Sequence, residues 1–138
     1  MNQPLIPLVS ASGLRDCVLA YGHFSTIHPG HIRYLRHARS LGSTMAVALM
    51  GDGQPDQPPL YPFRQQERAE ALNLLGIADA IVMLEADELS AAIQTLQPSV
   101  LVLGTELEGA PQLEHPLALL KAQGGNVQFH AGEVAYAS

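Results

Sequence analysis

Five short, nearly continuous apolar runs are spaced along the chain: Asp16 to Ala20, Thr44 to Met50, Ala80 to Leu84, Val100 to Leu103 and Val127 to His130. An apolar run that does not alternate with polar residues is a strand buried on both faces. The segments between the runs carry a helical period instead. In His31 to Leu41, the residues Ile32, Leu35, Ala38 and Leu41 recur at i+3, and Gly42 provides a stop. Gln65 to Leu75 places Ala69, Leu72 and Leu75 on one face and is followed by Gly76. Leu89 to Leu96 reads as a short helix, and Pro116 to Gln123 as another, closed by Gly124-Gly125. Residues 1–15 read as an irregular lead-in, because Pro4 and Pro7 discourage regular structure.

Strands that alternate with helices and are apolar on both sides require helices on both faces of a parallel sheet. The expected fold is α/β, a doubly wound, Rossmann-like parallel five-stranded sheet with helices on both faces. A length of 138 residues suits a single domain spanning 1–138. Seven basic against thirteen acidic residues give a formal charge of −6, which argues against a broad nucleic-acid surface. A small anionic ligand is compatible with that charge, since its site needs only local donors. The lone cysteine, Cys17, rules out an internal disulfide and reads as a buried hydrophobe. Met1 to Leu14 lacks the charged start and apolar core of a signal peptide, and no apolar run reaches the ~20 residues of a membrane span. A soluble cytoplasmic protein with no membrane partner is expected.

In a doubly wound sheet, ligands bind beyond the carboxyl ends of the strands, where the strand order reverses. That singles out 21–31, 51–64, 85–88 and 104–115. The first, Tyr21-Gly22-His23-Phe24-Ser25-Thr26-Ile27-His28-Pro29-Gly30-His31, carries the most chemistry. His28 and His31 fall at a helix start, where unpaired N–H groups and the helix dipole attract anions. Gly22 and Gly30 have no Cβ and let the backbone approach a ligand closely. Polyphosphate is the ligand that uses all of these features. The histidine pair could instead bind zinc, but no third ligand lies nearby and zinc is not expected.

Read as G-x-F-x-x-x-H-x-G-H, this stretch resembles the nucleotidylyltransferase superfamily, in particular its cytidylyltransferase-like members such as glycerol-phosphate cytidylyltransferase and the nucleotidyltransferase half of the heptose-phosphate kinase/adenylyltransferase. His31 to Gly42, Pro62 to Leu75 with its E-R-x-E-x-L, Gln97 to Gly104 and Gly124 to Phe129 are similar to successive family elements, so the likeness spans roughly 17–138. It implies that a small phosphorylated sugar or polyol attacks the α-phosphorus of CTP or ATP and releases pyrophosphate, with Mg²⁺ accompanying the triphosphate. It implies that His28 and His31 are catalytic, donating hydrogen bonds to the phosphates. Tyr21, Gly22, His23, Phe24 and Gly30 would line the nucleotide pocket, with residues 22–24 doing so through backbone groups. Arg68 is either a site residue or a surface charge paired with Glu67 or Glu70. Gly104 and Glu106 lie at a strand end facing the cleft. His37, His115 and His130 read as surface or sheet-end residues, and Arg33, Arg36 and Arg39 as a solvated stripe.

The sequence also departs from the family pattern. Ser25 stands where relatives usually have Asp. The loop 51–63 contains no Lys or Arg, and Leu103-Gly104-Thr105-Glu106 replaces a K-G-G-D. The Ser/Thr-rich segment that opens the family's last helix would begin where the chain stops, at Ser138. These departures raise a second expectation, that of a degenerate nucleotide-binding regulatory domain cut from a longer protein with a fused partner. A homodimer is expected by family analogy alone.

Overall fold

The computed structural model describes residues 5–7, 13–25, 27–53, 57–58, 61–85 and 89–130. Within them lie strands β1 (Leu5–Pro7), β2 (Val18–Gly22), β3 (Met45–Leu49), β4 (Ala80–Met83), β5 (Val100–Gly104) and β6 (Asn126–His130). The helices are α1 (Pro29–Arg39), α2 (Gln65–Leu75), α3 (Leu89–Leu96) and α4 (Glu114–Ala122). The strands form one parallel sheet in the order β1-β4-β3-β2-β5-β6.

The described residues hold six strands where five were expected. The addition is β1, in the lead-in where Pro7 argued against structure. It sits at the sheet edge and pairs only with β4. An edge strand needs hydrogen bonds on one side only, so a residue without an N–H is tolerated there. Pro4, residues 8–12, 54–56, 59–60 and 86–88, Thr26 of the histidine segment and the C-terminal 131–138 lie outside the described residues.

Alternation along the buried strands divides the core in two. Cys17, Leu19, Ala46, Ala48, Val82, Leu101 and Leu103 face α3 and α4, meeting Ala92, Ile93, Leu96 and Leu120. Val18, Ala20, Met45, Val47, Leu49, Ile81 and Val102 face α1 and α2, meeting Tyr34, Leu35, Ala38, Ala69 and Leu72. Both faces are therefore covered, as continuous apolar runs demand. Burial pushes the Cys17 thiol up to about 11, consistent with an inert core residue.

The chain leaves the middle of the sheet at β2, winds outward through β3 and β4, and returns to the other side of β2 as β5. The reversal lies between β2 and β5. Their ladder stops at Ala20–Val102, whereas β2 stays paired with β3 as far as Gly22–Leu49. Beyond Ala20 the central strands part, and Tyr34 of α1 fills the gap. Its hydroxyl accepts from the Tyr21 amide (3.1 Å) and donates to the Val102 carbonyl. One buried hydroxyl thus satisfies two backbone groups that the opening would strand. It is this opening that makes a crevice at the top of the sheet.

Candidate functional site

Helix α1 starts at the Pro29-Gly30 pair, two residues before the periodic run that begins at His31. Pro29 is its first residue and His28 its N-cap, with extended backbone (φ −132°, ψ 174°). Proline suits this position because its missing N–H would be unpaired there in any case. The cap is built by the two histidines. The Gly30 amide donates to His28 Nδ1 (3.0 Å), and the His28 amide donates to His31 Nδ1 (3.2 Å). This is the reciprocal arrangement of a capping box, with imidazoles in place of hydroxyl and carboxylate.

The cap fixes the chemistry of both rings. A main-chain amide can only donate, so each Nδ1 carries a lone pair and a neutral ring must carry its proton on Nε2. Both imidazoles therefore offer an Nε2–H donor. Their centroids lie 4.1 Å apart, and Phe24 packs on His31 at 5.5 Å. His31 is held below its ordinary pKa, first by desolvation and then by His28 and His23, with the Glu106 carboxylate pulling the other way. His31 is thus held toward its neutral, hydrogen-bonding form.

These rings open onto a cavity of about 480 Å³ at the β2–β5 crevice. Its lining includes Tyr21, Gly22, His23 and Phe24 after β2, His28, Gly30 and His31 at the helix start, and Gly104 and Glu106 after β5. All the residues singled out in the sequence except Arg68 converge here. Gly22 packs tightly: a Cβ there would lie 3.2 Å from the Phe24 ring, which would have to shift, and Phe24 itself has positive φ (48°). A Cβ at Gly104 would fall 2.2 Å from Glu106 Oε1, so that carboxylate folds back over the glycine. Among the described residues the lining contains no lysine or arginine, and Glu106 is its one acidic residue.

Arg68 is 1% exposed, so it is not a surface charge, and it pairs with neither Glu67 nor Glu70. Its Nε donates to the Phe63 carbonyl, Nη1 to the carbonyls of His23 and Met50, and Nη2 to the Gly51 carbonyl and the Asp52 carboxylate. All five N–H donors are committed within the protein. Arg68 ties the ends of β2 and β3 to the loop before α2. The basic stripe on α1 also has a partner: Arg39 forms an ion pair with Asp79.

Several cavity residues were not singled out in the sequence: Tyr34, Met50, Leu107, Gln112, Leu113 and His130. His130 is at the end of β6, a sheet-end position as expected, in register with Gly104. It stacks on His37 (4.4 Å between centroids), and its pKa is lowered by desolvation and by the neighbouring His37 and Arg33. The rule that ligands gather at carboxyl strand ends could have found it, applied to the last strand as well as the first four. His115 is exposed and outside the cavity.

A cytidylyltransferase-like family profile matches residues 19–124. The FAD synthase of Methanosarcina barkeri is 31% identical over 102 residues, which is 73% of either chain. The bifunctional protein HldE of Geobacter sulfurreducens is 33% identical over 134 residues, 92% of this chain and 26% of that protein. The chain thus spans about a quarter of such HldE proteins. Among solved structures, a lipopolysaccharide core biosynthesis protein from Thermoplasma volcanium aligns over 82% of this chain and 94% of its own, with a TM-score of 0.61 and 23% identity, a likeness of fold.

Proposed function

The chain belongs to the cytidylyltransferase-like family, and from that premise we propose that it is a nucleotidylyltransferase moving CMP or AMP from CTP or ATP onto a small phosphorylated acceptor. A phosphate oxygen of the acceptor attacks the α-phosphorus, the bond to the β-phosphate breaks, and pyrophosphate leaves. The reaction needs alignment and charge stabilisation more than a nucleophilic side chain. The observation that carries this reading is the pair of Nε2–H donors held rigidly at a helix start by the backbone itself. Donors that do not reorganise stabilise charge as it moves toward the leaving group. ATP is the favoured donor: FAD, the compound in the name of the FAD synthase relative, contains an adenylyl group. The sequence resemblance supports a phosphorylated sugar or polyol as the acceptor.

Mg²⁺ would accompany the triphosphate. The ion takes oxygen ligands and is commonly held through phosphates plus one or two carboxylates. Glu106 is the cavity carboxylate fit for that, and the charge the ion supplies offsets a lining without lysine or arginine. The same lining favours a second reading, a nucleotide-binding regulatory domain without turnover.

Pyrophosphate release from MgATP and MgCTP, measured with a panel of sugar and polyol phosphates, decides between them. The transferase reading expects release that needs both acceptor and metal. Nucleotide binding without release from any pair would favour the regulatory reading. Binding of neither nucleotide would overturn both.

A further inference from the structure

The side chain of His23, and not only its backbone, sets up a third donor in the same cavity. The Ser25 amide donates to His23 Nδ1 (3.1 Å), and the Ser25 hydroxyl lies 3.0 Å from the same nitrogen. The constraint seen at His28 and His31 is thereby repeated: Nδ1 accepts, so the neutral ring holds its proton on Nε2. The ring is also clamped flat against Tyr61, with centroids 4.7 Å apart and planes 15° apart, and the Arg68 guanidinium lies 4.8 Å from the Tyr61 ring centre. Arg68 further holds the His23 carbonyl at 2.7 Å. Ser25 and Tyr61 thus orient the imidazole on the cavity wall, and Arg68 fixes the backbone that carries it.

Resting on the nucleotidylyltransferase reading, we infer that His23, oriented by Ser25 and Tyr61, donates its Nε2–H to a phosphate of the bound nucleotide. In this it takes the place of the basic side chains missing from the loop 51–63. Ser25 is a positioning residue: its amide selects the tautomer, and neither it nor the hydroxyl touches the ligand. His23 interacts electrostatically with His31 and Glu106, which places it in the same charge environment as His31. Its pKa is lowered by desolvation and then by Arg68, which keeps the ring in the neutral donor form. Serine at 25 and histidine at 23 act as a unit, since a carboxylate at 25 would pair with an imidazolium instead.

The test uses the full chain and MgATP. His23→Phe keeps a ring against Tyr61 and removes the donor. His23→Gln restores an N–H near the Nε2 position. We expect the Phe variant to raise the KM for nucleotide about tenfold, in line with the loss of one charge-assisted hydrogen bond. The Gln variant should recover most of that. Ser25→Ala keeps the amide that fixes the tautomer and loses only the hydroxyl, so it should raise KM a few-fold, with little change in kcat, and leave His23 in the Nε2–H tautomer in ¹⁵N NMR spectra. In the wild type, saturating MgATP should shift the His23 Nε2 resonance. Equal nucleotide KM in wild type and His23→Phe, or a His23 Nε2 resonance that ignores bound MgATP, would overturn the inference while leaving the transferase reading standing. If the Phe variant does not fold, the wild-type resonance decides. A wild type that binds no nucleotide would instead defeat the parent reading.

Discussion

His28 and His31 each do two things, and the two can be separated by substitution. Each Nδ1 caps α1, and under the proposed function each Nε2 donates to ligand. His28→Ala removes both and should cost about 1 kcal/mol of stability through the lost cap, along with activity. His28→Asn keeps a good N-cap and loses only the Nε2 donor. It should therefore melt within about 0.5 kcal/mol of the wild type while pyrophosphate release falls about a hundredfold or more. Full activity in the Asn variant would show that His28 is only a cap. The pH dependence of stability follows from the same residues. His23 and His31 are held below 6.5 in the folded state, so the unfolded chain binds more protons as pH falls. Their stabilising contribution is complete above pH 6.5 and is lost as pH drops through their folded values. Chemical denaturation at pH 7.5 and pH 5 should show a smaller unfolding free energy at the lower pH. Substituting His31 with Asn should flatten that difference. The site pair was legible because two glycines, a phenylalanine and two histidines occur together at a strand end. The tautomers were not, because they depend on which amides the folded backbone presents to each ring.

At the scale of elements, two polar side chains keep the crevice in shape. Tyr34→Phe removes the hydroxyl that bridges the Tyr21 amide and the Val102 carbonyl. It should cost about 1–3 kcal/mol, the usual cost of stranding buried polar groups, as read by urea denaturation. Arg68→Leu strands four carbonyls and breaks the ion pair with Asp52, and a loss of about 3 kcal/mol or more is expected. Arg68→Lys should fall between, since an ammonium has three donors where the guanidinium has five. If Arg68 instead touched nucleotide, Arg68→Lys would change the nucleotide KM more than the melting temperature. Neither role could be read from spacing. Tyr34 sits on the apolar face of α1 and looks like core until the parting of β2 and β5 gives its hydroxyl two partners. Arg68 looks like an ordinary helix cation until the ends of β2 and β3 bring three carbonyls to it.

At the scale of the molecule, the alternation of buried strands and helices already specified a parallel sheet with both faces covered. The runs at 44–50, 80–84 and 100–103 each became a strand within one residue of the expected ends. Strand β1 was hidden because three residues containing a proline carry no periodicity, and only the exposed edge of β4 makes a strand of them. Strand order was hidden for a related reason: the return of β5 to the far side of β2 is a choice of partner that no local pattern encodes. Yet it is this choice that places the histidine segment opposite Gly104 and Glu106 and creates the cavity. The central claim is that this cavity holds a nucleoside triphosphate against His28 and His31. Calorimetric titration of the wild type and the His28→Asn, His31→Asn double variant with MgATP and MgCTP tests it most directly. Saturable binding of at least one nucleotide to the wild type, weakened about a hundredfold or more in the double variant, is the predicted result. Equal affinity in both proteins, with the variant folded, would contradict it.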